Sequence, residues 1–369
     1  MTPYLSLIFL IIVESFVYYF SKNKVKNKKN FMTIVCIELI LFAGLRSTNI
    51  GVDTKNYLYA LNYYRNMPIE AIFTTPNPWN IDYEIGYMIL TKLLAFARFS
   101  DTQFLIVIAC LIYIPVFIYI YEESDDVIFS LLFYMCFELF AYSLGIFRQM
   151  ISVSILLLSI KHIKNRKFFK FILFVLLAMS FHYSAIVAIP LYFVFGKKFK
   201  KIYCLYLLVF EMIAIVFGAE IVGFIFEIVG KYSHYIGSKY GGSGGGYNLL
   251  LLLHVLLIIG MVIFKNNNIQ IKMKISSNSF IEATKNNDFH LFIISFAIIL
   301  TLLAHTFSVI ARANCFYIML IISYTPTMIR KITTTQTRIL MKIIGVILLI
   351  VYFYFSIVNE PRLNPFTFM

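Results

Sequence analysis

The stretch "PYLSLIFLIIVESFVYYFSKNKVKNKKN", residues 3–30, decides the fold class. Its first part, 3–20, is an apolar run broken by one charge, Glu14, and is close to the ~20 residues a spanning helix needs. Five lysines follow at 22–29 and no basic residue precedes it. A secretory signal has the opposite order, charge first and apolar core second. The run therefore reads as a retained membrane helix with its N-terminus outside.

Similar runs recur along the whole chain. Of 369 residues, 60% are hydrophobic and 14% charged, against about 25% charged in a soluble domain. In lipid, backbone groups must be satisfied internally, which leaves helices or a closed barrel. The runs are continuous rather than alternating, so they are helices. The fold class is an all-α, polytopic transmembrane bundle, read as a single membrane domain over 1–369.

The net charge of +14 is distributed in a way that speaks of topology and not of nucleic acid. Five basic clusters, 22–29, 161–170, 197–201, 265–285 and 330–342, hold 22 of the 32 basic residues. Lysine and arginine favour cytoplasmic loops. All five clusters face the cytoplasm if spans run near 3–20, 31–45, 104–121, 127–146, 148–163, 168–181, 184–195, 202–218, 247–264, 289–307, 312–329 and 339–357. That gives about twelve spans in the cytoplasmic membrane with both termini outside. The segment 83–99 carries Lys92 and Arg98 and would reverse the charge order as a crossing, so it is read as an amphipathic helix on the outer surface. It belongs to a long outer segment, 46–103. A second outer segment, 219–246, ends in a glycine-rich stretch that reads as a linker or a mobile lid and does not match a phosphate-binding loop.

The basic residues divide by type across this topology. The cytoplasmic clusters hold 19 lysines and 3 arginines, whereas the outer side holds 4 lysines and Arg46, Arg65, Arg98, Arg148, Arg312 and Arg362. Charge alone satisfies topology, but arginine's planar fork fits phosphate bidentately. Arg46, Arg148 and Arg312 stand at the outer ends of spans, where a lipid-linked phosphate or pyrophosphate would lie. The competing reading is that each anchors its helix by reaching to the interface. Asp53, seven residues after Arg46 in "IGVDT", reads either as a general base toward a hydroxyl or as the N-cap of the helix that follows. His182, in "SFHYSA" at an outer turn, is a second proton acceptor or a donor to phosphate.

His254 and His305 lie in outer halves of helices, and no His or carboxylate set has metal-ligand spacing. The five cysteines fall in or beside apolar runs and read as small core residues. Glu14, Glu38, Glu138 and Glu211 lie within spans, as relay sites of a transporter or as protonated partners between helices. No repeat relates the two halves of the chain.

Several phrases resemble the EpsG family of Wzy-like polysaccharide polymerases. They are "LRSTNIGVDTKNY" (45–57), "DYEIGY" (82–87), "FRQMISVSILLLSIKHIKNRKFFKF" (147–171), "LLAMSFHYSAIVAIPLYF" (176–193), "ARANCFY" (311–317) and "NEPRLNPF" (359–366). The resemblance implies a GT-C-like helical fold without metal or other cofactor. It also implies polymerisation of exopolysaccharide, capsule or O-antigen repeat units carried on undecaprenyl pyrophosphate at the outer face. A chain-length regulator and a flippase of the same pathway are its implied partners. Arg46, Arg148 and Arg312, with Arg362 beside them, are expected to bind pyrophosphate, and Asp53 and His182 to activate the acceptor. The alternatives are a flippase or other transporter with a polar path through the bilayer, and a membrane O-acyltransferase using His182 or His305.

Overall fold

The computed structural model describes residues 2–68, 83–229, 247–272, 277–306, 309–332, 334–355 and 362–368. Among them the chain is helical, with no strand beyond one isolated bridge between Arg46 and Phe368. Five described helices are long and apolar enough to cross a membrane, within 3–20, 101–123, 202–224, 286–305 and 335–353. This is a multi-pass helical membrane protein.

The chain forms two compact units. The first contains residues 1–162, 169–186 and 336–369, and the second 163–168 and 187–335. The first unit begins with α1 (Thr2–Phe20), α2 (Lys24–Gly44), α3 (Thr54–Tyr64), α4 (Ile85–Phe96) and α5 (Asp101–Glu123). It continues through α6 (Val127–Cys136), α7 (Glu138–Ser143), α8 (Phe147–Lys164) and α9 (Phe168–Met179) to a 3₁₀ turn (Tyr183–Ala188). Helix α2 packs along α5. Gly44 permits this contact, since a Cβ there would lie 2.5 Å from Ile106 Cγ1.

The second unit holds α10 (Ile189–Val194), α11 (Ile202–Val229), α12 (Tyr247–Lys272), α13 (Ser277–Thr306), α14 (Val309–Ala313) and α15 (Cys315–Arg330). Helix α13 is its centre, touching α10, α11, α12, α14 and α15. Asn314 Nδ2 donates to Thr301 Oγ1 at 2.8 Å and to the Ala297 carbonyl at 3.2 Å, tying the start of α15 to α13. Helix α16 (Thr335–Phe353) returns to the first unit.

Several boundaries differ from the hydropathy reading. The run 127–146 is not one helix: the backbone is extended at Phe137 (φ −95°, ψ 165°). The run 184–195 is a 3₁₀ turn followed by a six-residue helix. Helix α9 has 12 residues, about 18 Å of rise against a hydrocarbon core of about 30 Å. No glycine or proline marks the break at Phe137, and apolarity alone is blind to it. The first part of the 219–246 segment is helical, as α11 continues to Val229. Most of its glycine-rich end lies outside the described residues.

Lys92 and Arg98, with the charge order, are what place 83–99 on the outer surface in the sequence, and the structure shows how Lys92 is accommodated. Its side chain is buried, with Nζ donating to the Tyr64 carbonyl at 2.7 Å and to that of Met67. It satisfies carbonyls at the end of α3, where a cation also suits the helix dipole. Arg65 makes the same kind of contact, donating to the Phe99 carbonyl at 2.6 Å.

Opposite ends of the first unit are defined by their contacts. At one, Lys28 donates to the Tyr121 carbonyl at 2.8 Å, and Lys342 pairs with Asp126. At the other, the Tyr4 hydroxyl donates to the Leu363 carbonyl at 3.1 Å, and the Ser47 and Gly51 amides bond the Thr367 and Arg362 carbonyls at 2.8 and 3.0 Å. Phe366 stacks on Phe42 with centroids 4.4 Å apart. The N-terminal and C-terminal segments therefore share the Arg46 end, opposite Lys28.

Candidate functional site

The Arg46 end gathers five of the six residues singled out in the sequence, all but Arg312. They come from the loop before α3, the start of α8, the turn after α9 and the C-terminal segment. The scaffold is a close meeting of two loops. Gly51, at φ +99°, lies so near the chain at 144–145 that a Cβ would come within 2.0 Å of the Leu144 carbonyl. Only glycine combines that backbone conformation with that approach. Thr54 fixes the same contact, its hydroxyl placed 2.7 Å from the Ile50 carbonyl and 3.2 Å from that of Leu144.

Arg46 belongs to this scaffold. It is 2% exposed, and its guanidinium donates to the Ala43 carbonyl and, at 2.8 Å, to that of Leu144. Its charged carbon lies 5.4 Å from the Phe147 ring centroid. Burial lowers its pKa to about 10, which leaves it cationic at neutral pH. A side chain closed over in this way ties the end of α2 to the 144–145 turn. The Arg46 guanidinium, expected to meet a pyrophosphate, is here engaged with these two carbonyls.

Arg148, one residue beyond Phe147, has different neighbours. Its Nη1 lies 2.5 Å from Glu84 Oε2, and its guanidinium sits over the Tyr83 ring at 4.8 Å. It also interacts with Tyr57. A cation in the first turn of a helix opposes the helix dipole, and the Glu84 carboxylate offsets that cost. The second Glu84 oxygen, Oε1, lies 3.1 Å from His182 Nδ1. Glu84 is 2% exposed, while the Arg148 and His182 side chains are 19% and 18% exposed. One buried carboxylate thus joins two half-open basic side chains.

Glu84 owes its place to the start of α4. The Gly86 amide donates to the Ser180 carbonyl at 2.7 Å, and a Cβ at position 86 would meet Ser180 Oγ at 2.3 Å. That contact docks the first turn of α4 on the turn that carries His182. Glu84 occupies the N-cap position of α4 without a side-chain capping bond, which leaves both oxygens for Arg148 and His182. Burial by itself would raise its carboxyl. The hydrogen bond with His182 and the charge of Arg148 outweigh burial and hold it down to about 2. It is an anion at any physiological pH.

Aromatic rings line the cluster. Tyr57 stacks on Phe147 at 4.7 Å, and Tyr83 and Tyr87 lie 5.5 Å apart. Asp53, at the N-cap position of α3, is half-buried and makes no side-chain capping bond. It acts electrostatically on Tyr83, the ring that Arg148 covers. Arg362 is exposed, and its carbonyl is the acceptor for Gly51, two residues before Asp53. Arg362 is therefore the solvent-facing cation beside the Asp53 turn, the place the sequence reading gave to Arg46.

Arg312 lies in α14 of the second unit. The reading missed Glu84 as a functional residue, and Tyr57 and Tyr83 with it, although "DYEIGY" and "LRSTNIGVDTKNY" contain them. An acidic residue in an outer segment gives no sign of burial until its partners are placed. Among the described residues no three His, Cys, Asp or Glu side chains gather as a metal site.

The buried acid–base cluster lies at one end of the first unit of a multi-pass helical membrane protein. The chain belongs to the EpsG family, whose model matches residues 29–368, nearly its whole length. No curated protein and no solved structure matches the chain.

Proposed function

We propose that this protein is a polysaccharide polymerase of the cytoplasmic membrane. It joins oligosaccharide repeat units carried on undecaprenyl pyrophosphate at the outer face, for exopolysaccharide or capsule. Family membership makes it a polysaccharide-polymerase-like membrane protein. The finer reading rests on one observation above all, the convergence of Arg148, Glu84 and His182 with Asp53 nearby at the end that carries both chain termini.

Transfer from a lipid pyrophosphate starts with a good leaving group. It needs cations against the charge that develops on that group and an acceptor for the hydroxyl proton. Arg148 is the cation within the cluster, and Arg362 stands exposed beside it. Arg312 keeps the pyrophosphate-binding role expected of it from the sequence. Asp53 and His182 are the groups that meet the acceptor sugar, and the tyrosine-rich wall suits a sugar's apolar face. The twelve-span, GT-C-like topology with both termini outside belongs to this reading. So does the placement of the 46–103 segment on the outer surface.

The transporter alternative needs its intramembrane glutamates along a path. Three of the four are already matched with neighbouring helices. Glu38 hydrogen-bonds Glu14 between α1 and α2, and Glu211 Oε1 lies 2.8 Å from His254 Nε2 between α11 and α12. Pairs of this kind serve helix packing.

The test is polymer size in a deletion strain. Loss of long chains with single lipid-linked units still exposed at the outer surface is the expected result. Units trapped at the inner leaflet would identify a transporter instead.

A further inference from the structure

We propose that Glu84 is a positioning residue that makes His182 the proton acceptor of the transfer and holds Arg148 beside it. The inference rests on the polymerase reading and adds a residue and an order of events to it.

The argument begins with what an ionised carboxylate can do. It accepts hydrogen bonds and donates none. Glu84 is closed off from solvent, and its carboxyl is held down to about 2. The His182 nitrogen 3.1 Å from Oε1 must therefore carry a proton. In the neutral ring, the basic lone pair is then on Nε2. An anion at Nδ1 also stabilises the imidazolium that forms when Nε2 takes up a proton, the role a buried carboxylate plays in acid–histidine pairs. Glu84 does both with one oxygen. With the other it fixes Arg148 at 2.5 Å, so proton acceptor and cation are set by the same side chain.

Geometry outside the three residues supports this use. The cluster is built from three separate segments, at 84, 148 and 182. The Gly86–Ser180 contact locks two of them at a distance no other residue at position 86 would allow. Ser152 Oγ lies 3.4 Å from the His182 carbonyl, which ties α8 to the same turn. A surface ion pair needs no such scaffold.

In the step itself, the acceptor sugar hydroxyl loses its proton to Nε2 of His182 as its oxygen bonds the anomeric carbon of the donor. The bond from that carbon to the pyrophosphate oxygen breaks, and the lipid pyrophosphate leaves with the electron pair. Arg148 faces the charge that departs. Glu84, from the start of α4, is the charged group that faces His182 Nδ1, and Arg148, from α8, pairs with the other Glu84 oxygen.

The test has a readout independent of polymer formation. Histidine-labelled protein in nanodiscs is titrated by nitrogen NMR, with the His182 signal assigned by its absence in H182N. The wild type is expected to show the Nδ1–H tautomer, with a midpoint at least one pH unit above that of E84Q. A wild-type midpoint at or below the ordinary histidine value of about 6.5 overturns the proposal without any variant. Equal midpoints in wild type and E84Q do the same.

With lipid-linked repeat units recovered from the deletion strain, E84Q is expected to lose at least ~10-fold in kcat with KM within about 2-fold. The acid limb of its profile should move to lower pH, and E84D should recover part of the rate. A change in KM alone, with the pH profile unmoved, also overturns the proposal. A shifted titration in a wild-type protein that makes no polymer would leave the pairing standing and refute the polymerase reading.

Discussion

Arg46 and Arg148 flank the same phenylalanine, Phe147, and both stand at helix ends on one face of the first unit. By sequence they are equivalent. By environment they are not. Arg46 is closed over and donates to two backbone carbonyls, whereas Arg148 is part-exposed and faces a carboxylate that also holds a histidine. Carbonyl partners bind two loops together and leave nothing to react. A buried carboxylate shared by two bases is a means of setting protonation. The partners of an arginine, more than its place on a helix, distinguish structural from chemical use.

The sharpest way to break this comparison is to truncate both. Arg148→Ala strands the buried Glu84 carboxylate without its cation, and removing one partner of a buried pair costs about 3–5 kcal/mol. Polymer formation per folded molecule should also drop about 10²–10³-fold, as for loss of a group that stabilises departing charge. Arg148→Lys keeps the charge without the fork and should recover stability more than rate. Thermal denaturation in detergent alongside a polymer assay separates the two effects.

Arg46→Ala should act on stability alone. It unpairs two carbonyls at a cost of about 2–4 kcal/mol, with near-normal activity in whatever folds. A folded Arg46→Ala protein that binds lipid pyrophosphate more than 10-fold more weakly would return Arg46 to the site.

Acid should separate the two corners next. The Glu84 carboxyl is held at about 2, below its ordinary 4.5, so its stabilising contribution is full above about pH 4.5. It is lost as pH falls toward 2. At a group this buried the shift corresponds to roughly 3 kcal/mol. Wild-type melting temperature should therefore fall over that window, and Glu84→Gln should flatten the fall. Glu84→Gln melting with the same acid dependence would mean that other carboxyls carry it.

Gly51→Ala tests the scaffold between the corners. Its positive φ and the 2.0 Å approach to the Leu144 carbonyl predict a cost of about 1–3 kcal/mol and a displaced Asp53. The smallest expected shift in stability is that of Asp53→Asn. Its side chain makes no capping bond, so melting should move by less than about 0.5 kcal/mol while polymer is lost. A clear loss of stability would restore the capping reading.

How much of this was legible in the sequence follows from the same contrast. Hydropathy and charge order carried the helical membrane class. In the structure Lys28 and Lys342 lie at the end of the first unit opposite Arg46. Hydropathy and charge order are properties of segments, and segments are what a bilayer selects. The phrases around Asp53, Arg148 and His182 hold the loops that meet at one end of the first unit. The break at Phe137, the burial of Lys92 and Arg46, and the place of Glu84 were not legible. Each depends on which backbone or side chain a residue meets from a distant segment. Glu84 shows this most plainly, since its partners lie 64 and 98 residues away.

The most direct measurement is reconstitution of the purified protein in proteoliposomes with lipid-linked repeat units from the deletion strain. A ladder of products at multiples of one repeat, released with one lipid pyrophosphate per bond formed and absent in Arg148→Ala, is the predicted result. Units that cross the bilayer and stay single in length would contradict it.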